Sequence, residues 1–92
     1  MLADRKKGNM SYPITFSNTA SKQFQKLLDK KLKERIASAL EFIAKEPLIG
    51  KPLQAEFKGS YSFRVGDYRT IYAFSKDKKE IGIIRIEHRR QL

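Results

Sequence analysis

The sequence predicts a single α+β domain with the element order β-α-α-β-β-β: an N-terminal strand, a helical hairpin, then an antiparallel meander. Three observations carry that prediction. Apolar residues from Phe24 to Ile43 recur at helical spacing, those after Tyr61 alternate at strand spacing, and a cluster of proline and glycine separates the two regions. Helices and strands grouped in this way belong to an architecture in which helices cover one face of a sheet.

The elements follow in order. Residues 1–10, MLADRKKGNM, carry charge with no apolar stretch behind it, so they read as a flexible basic tail and not as a secretory signal. Met10 offers a second start, and the domain is taken as residues 11–92. The run Ser11–Phe16, with Pro13 near its beginning, predicts an edge or first strand. Ser17 or Asn18 caps a helix that carries Phe24, Leu27 and Leu28 on one apolar side. A new register then begins at Leu32 and runs through Ile36, Ala39, Leu40 and Ile43. This predicts two helices with Asp29 capping the second, one long bent helix being the alternative. Glu46-Pro47 ends the helical region, because proline disfavours the α conformation before it. A connector from Pro47 to Gly59 leads to strands at Tyr61–Val65, Tyr68–Phe74 and Ile81–Glu87. Gly66-Asp67 joins the first two strands, and SKDKKE joins the last two.

Composition narrows the function classes. The chain has 92 residues, enough for one core, and no cysteine, so neither a disulfide framework nor a cysteine-rich zinc site stabilises it. Its cysteine usage fits a reducing, cytoplasmic setting, and no apolar run is long enough to span a membrane. Twenty Lys and Arg against ten Asp and Glu leave a formal net charge of +10. A surplus of that size in a small domain favours polyanions or an acidic protein partner.

The position of the charge follows from strand parity. A two-residue loop at Gly66-Asp67 pairs Val65 with Tyr68, and then Arg64 with Arg69. Alternation sends Tyr61, Phe63, Val65, Tyr68, Tyr72 and Phe74 to the core, and Ser62, Arg64, Arg69, Ile71 and Ala73 to the other, open face. In the third strand Ile84 and Ile86 are expected in the core, which sends Arg85 and Glu87 to the open face. The opposite choice would bury both charges against the helices. Arg89 shares the parity of Arg85, and His88 sits at the strand end. Like charges directly opposed on two strands are destabilising, so a face that gathers arginines predicts an anion site, where forked donors match phosphate oxygens. The bland alternative is a solvated face with splayed side chains.

The available chemistry is limited. There is one histidine, no nucleotide-binding glycine loop and no metal-ligand cluster, so no metal or cofactor is expected. A triad of Ser62, His88 and Asp67 lacks any nucleophile motif. Several arginines and one histidine can bind RNA, stabilise a pentavalent phosphate and move a proton.

With these residues in hand, the chain resembles the RelE/ParE superfamily of toxins from toxin–antitoxin pairs, from about Ser11 to Leu92. The most specific matches are GKPL (Gly50–Leu53), YSFRVGDYRTIY (Tyr61–Tyr72) and IEHRR (Ile86–Arg90). The resemblance implies a compact microbial RNase-like fold and an acidic antitoxin as partner. In the RelE-like branch it implies cleavage of mRNA on the ribosome, without metal, through the ribose 2′-hydroxyl. The ParE-like alternative is inhibition of DNA gyrase, and a third reading is a catalytically impaired RNA-binding relic. The branch's catalytic positions fall on Arg64, Arg69, His88 and Arg89, with Arg85, Arg90, Lys51 and Lys58 expected as RNA contacts. Two departures stand out. Many active members carry a tyrosine a few residues beyond the terminal arginine, where this sequence reads Arg90-Gln91-Leu92. Members with a glutamate base carry it in the GKP loop, where this chain has Lys51-Pro52-Leu53, and Glu56 does not match.

Overall fold

The computed structural model describes residues 11–54 and 59–88. The basic tail at 1–10 and the candidate residues Lys58, Arg89 and Arg90 lie outside them. The elements are β1 (Ile14–Phe16), α1 (Asn18–Gln25), α2 (Lys30–Lys45), β2 (Lys51–Pro52), β3 (Ser60–Val65), β4 (Tyr68–Ser75) and β5 (Glu80–His88). They build an α+β domain on one five-stranded sheet of order β1-β5-β4-β3-β2. β1 lies parallel to β5, and every other neighbouring pair is antiparallel.

The helical hairpin forms where the polar signals place it. The Ser17 hydroxyl accepts from the Ala20 N–H at 3.0 Å and caps α1. Asp29 Oδ1 accepts from the N–H groups of Lys31 and Leu32 and caps α2. The stripe Ile36, Ala39, Leu40 and Ile43 is buried, and it packs with Ala20, Leu27, Val65, Tyr72, Ile81, Ile83 and Ile86. α1 is shorter than its apolar residues suggest, because it stops at Gln25. Leu28 therefore falls in the link between the helices and is 97% exposed, instead of sharing a face with Phe24 and Leu27. The first strand is likewise shorter than the apolar run, at Ile14–Phe16, and the connector contributes the short β2, an element that two residues cannot announce.

The turn at Gly66-Asp67 sets the register as expected. Val65 pairs with Tyr68, Arg64 with Arg69, Phe63 with Thr70, Ser62 with Ile71 and Tyr61 with Tyr72. Gly66 has φ +59° at the first loop position, the left-handed conformation that glycine accepts without a Cβ penalty.

β5 departs from simple alternation. Ile71 pairs with Arg85 but Tyr72 pairs with Ile83, so Ile84 is an inserted residue, a β-bulge. Ile81, Ile83 and Ile86 are buried on the helix side, while Ile84 is only half-buried. The expectation that Ile84 and Ile86 share the core is thus corrected: the bulge shifts the phase by one, so Ile83 takes the place expected for Ile84. Arg85 and Glu87 still lie opposite the core. Side chains of the α1 region serve the backbone that the ladder leaves there. The Ser17 hydroxyl donates to the Ile84 carbonyl at 2.7 Å, and the Ile86 N–H donates to Gln23 Oε1 at 2.7 Å.

This arrangement has a direct test in paired alanine variants. Ile83→Ala is expected to cost about 2–5 kcal/mol of unfolding free energy, and Ile84→Ala distinctly less. Urea denaturation measures both, and equal losses would contradict the bulge.

Candidate anion-binding site

The face of the sheet opposite the core carries two cross-strand rows. Lys51, Ser62, Ile71 and Arg85 form one, running from β2 through β3 and β4 to β5. Arg64, Arg69 and Glu87 form the next. Lys51, Arg64, Arg69 and Arg85 therefore share one surface, and Glu87 is the one acid in these two rows.

Glu87 organises two of the cations. Its Oε2 accepts from Arg85 Nη1 at 2.8 Å, and its Oε1 accepts from Arg69 Nη2 at 3.4 Å. The Glu87 residue is only 8% exposed, whereas the side chain of Arg85 is 46% exposed. The Arg69 side chain is 31% exposed, and its Nε is buried without a hydrogen-bond partner. The face is less open than alternation alone suggests, because Ile71, between these charges, is 1% exposed. Arg64 is exposed on β3. It also borders a groove of about 710 Å³ whose lining includes Lys31, Arg35, Phe42 and Phe63.

The loop that presents Lys51 is tied to the sheet by a buried tyrosine. Tyr72 is fully buried, and its hydroxyl donates to the Pro47 carbonyl at 2.8 Å and accepts from the Gly50 N–H at 2.9 Å. A Cβ at position 50 would lie 2.6 Å from that hydroxyl, so the GKPL segment needs glycine for this approach. Burial raises the Tyr72 pKa above its ordinary value of 10.0, with the Gly50 hydrogen bond opposing the shift and the nearby Tyr61 adding to it.

His88 lies apart from the arginines. It pairs with Tyr68 on the helix side of the sheet, and the two rings meet edge to face at 5.0 Å. The cavity beside it, about 190 Å³, is lined by Gln23, Lys26, Leu27, Tyr68, Ile86 and His88. The structure thus brings together Lys51, Arg64, Arg69 and Arg85, and sets His88 on the opposite side at the end of β5. Sequence parity contained the signal for that separation, since His88 alternates with Glu87. The clamp made by Tyr72 was not legible, because a core aromatic gives no hint of what its hydroxyl reaches. Among the described residues, no group of three or more His, Cys, Asp or Glu side chains forms a metal-ligand cluster, and no helix is long and apolar enough to cross a membrane.

A small α+β domain with helices on one side of its sheet and a cationic surface on the other defines a class, and the comparisons give it a family. Residues 14–92 match the family described as ParE toxin of type II toxin–antitoxin system, parDE. Toxin RelG of Mycobacterium tuberculosis is 35% identical over 81 residues, 87% of this chain and 93% of that protein. The toxin–antitoxin complex RelBE2 of the same organism superposes with a TM-score of 0.74 at 33% identity, covering 85% of this chain and 98% of that one. The archaeal RelE–RelB complex from Pyrococcus horikoshii gives a TM-score of 0.72 at 26% identity, covering 90% of this chain and 100% of that one. The chain belongs to the RelE/ParE superfamily and is the toxin of a type II toxin–antitoxin system.

The tyrosine clamp predicts an alkaline signature. A hydroxyl whose folded pKa is raised contributes stability that is fully present below its unfolded pKa and is lost as pH rises through the folded value. Thermal stability is therefore expected to fall above about pH 10, and Tyr72→Phe should remove part of that fall. At neutral pH the same variant should cost about 1–3 kcal/mol by leaving two buried backbone groups unpaired. Melting curves across pH check both.

Proposed function

We propose that this toxin is an endoribonuclease that cuts mRNA on the ribosome, by attack of a ribose 2′-hydroxyl on the adjacent phosphate, along the metal-independent route that the RelE-like resemblance implies. The observation that carries this reading is the shared surface of Lys51, Arg64, Arg69 and Arg85. Guanidinium groups on one rigid sheet face can hold phosphate oxygens and meet the charge that develops during attack, without reorganisation at the moment of reaction. Arg69 and Arg89 hold the phosphate, Arg64 supports the transition state, and Lys51, Lys58, Arg85 and Arg90 contact the flanking backbone. His88 is the acid or base for a substrate that wraps around the end of β5, since it stands on the helix side there.

The likeness to RelG and to the RelBE2 complex favours this branch. The ParE description of the matching family favours, as the second reading, inhibition of DNA gyrase. In both cases the partner is an acidic antitoxin. Its apolar and acidic side chains would suit the groove that borders Arg64, where Phe42 and Phe63 lie among Lys31 and Arg35. The charge and the cysteine-free composition fit action in the cytoplasm.

Ribosomes programmed with mRNA test the reading directly. The parent chain should cleave within the A site, and Arg69→Ala should slow cleavage by about 10²–10³-fold, the size of losing one preorganised donor. RNA affinity should fall by about 0.7 log units per phosphate contact for each tenfold rise in salt. No cleavage at high toxin concentration, together with loss of supercoiling by purified gyrase, would transfer the assignment to the second reading.

A further inference from the structure

Resting on the RNA-cutting reading, we propose that Glu87 is a positioning residue: its carboxylate is anchored by Arg85 and holds Arg69 aimed at the substrate phosphate. The sequence marks Glu87 only as an acid among arginines. The geometry gives it two unequal contacts. The bond to Arg85 is short at 2.8 Å, and the one to Arg69 is long at 3.4 Å. A contact of 3.4 Å lies beyond the usual range for a strong charge-assisted hydrogen bond. Arg69 is therefore oriented by Glu87 without being saturated: its Nε–H is buried without a partner, and a phosphate would meet the exposed 31% of the side chain. Arg85 spends a donor on Glu87 and acts as the anchor. The two arginines, which look equivalent by parity, divide the work.

Burial makes this division necessary. A carboxylate 8% exposed would be costly without a cation, and Arg85 at contact distance supplies one. Glu87 also stands directly across from Arg69, while Arg69 stands directly across from Arg64. An acid at that position draws the Arg69 guanidinium away from the like charge and toward β5. A role as general base fits less well, because both carboxylate oxygens already accept from guanidinium groups.

The test separates binding from turnover and compares Glu87→Gln, Glu87→Asp and Arg69→Ala. Affinity is read by anisotropy on a short single-stranded RNA, and cleavage by single turnover on mRNA-programmed ribosomes. Glu87→Gln should bind RNA as tightly as the parent or up to about tenfold more tightly, since one negative charge is removed from the face. It should cleave bound RNA roughly 10- to 100-fold more slowly, because Arg69 loses its aim. Glu87→Asp should recover part of the rate. Unchanged turnover in Glu87→Gln would overturn the proposal. So would loss of the acidic limb of the pH–rate profile, which would make Glu87 the base.

One measurement needs no variant. In the intact protein the Arg69 Nε–H should give a distinct NMR signal protected from solvent exchange, and a solvent-averaged signal would overturn the proposal. A parent chain that cuts no RNA would sink the nuclease reading alone, and the Arg69 signal with the affinity of Glu87→Gln would still decide on Glu87.

Discussion

One inserted residue in the last strand sets both sides of this sheet. Without the bulge at Ile84, strict alternation would place Ile81 and Ile83 on the same face as Arg85 and Glu87. Either two isoleucines would leave the core, or two charges would enter it. The bulge lets Ile81, Ile83 and Ile86 pack with the helices while Arg85 and Glu87 stay across from them. Beyond Phe16, where the pairing of β1 with β5 ends, the Ser17 and Gln23 side chains take up the Ile84 carbonyl and the Ile86 N–H. Ser17 caps α1 with the same hydroxyl. The helix start, the core and the cationic face are thus fixed at one place.

The charged face rests on a second balance. Arg64 and Arg69 stand side by side across a strand pair, a juxtaposition that costs a few tenths to about 1 kcal/mol. Glu87 on the next strand offsets it, because it faces Arg69 directly and is held by Arg85. What remains is an exposed Arg64, a partly satisfied Arg69 and a Lys51 presented by the Tyr72 clamp. Exposed side chains of Arg64 and Arg85 and the exposed part of Arg69 are what such a surface would offer an anion under the proposed reading. The separation of His88 from it has a mechanistic consequence. Charge stabilisation and proton transfer stand on different sides of the sheet, so a substrate using both must pass around the end of β5.

Much of this was legible in the residues. Gly66-Asp67 fixed the pairing of Arg64 with Arg69, because a two-residue loop admits a narrow choice of registers. Asp29 marked the break between the helices, and Glu46-Pro47 the end of the second. The misses have physical causes. Leu28 follows the helical spacing of Phe24, but α1 stops at Gln25 and leaves it to solvent. The bulge was hidden because Ile83 and Ile84 are the same residue, so composition could not say which one faced the helices. The short β2 exists only through its pairing with β3, and the Tyr72 clamp depends on contacts between residues 22 and 25 positions apart, which no local pattern encodes. The unequal grip of Glu87 on its two arginines is likewise a matter of distances, not of parity.

The central claim is that Lys51, Arg64, Arg69 and Arg85 act as one anion-binding surface on the side of the sheet away from the helices. The most direct measurement follows the arginine side-chain and backbone NMR signals while a short single-stranded RNA is titrated in at low salt. The account predicts that the Arg64, Arg69 and Arg85 Nε signals shift together and saturate at one concentration, with the Ser62 and Ile71 amides moving alongside. Shifts confined to the helix side, around Lys26, Tyr68 and His88, with the three arginines unmoved, would contradict it.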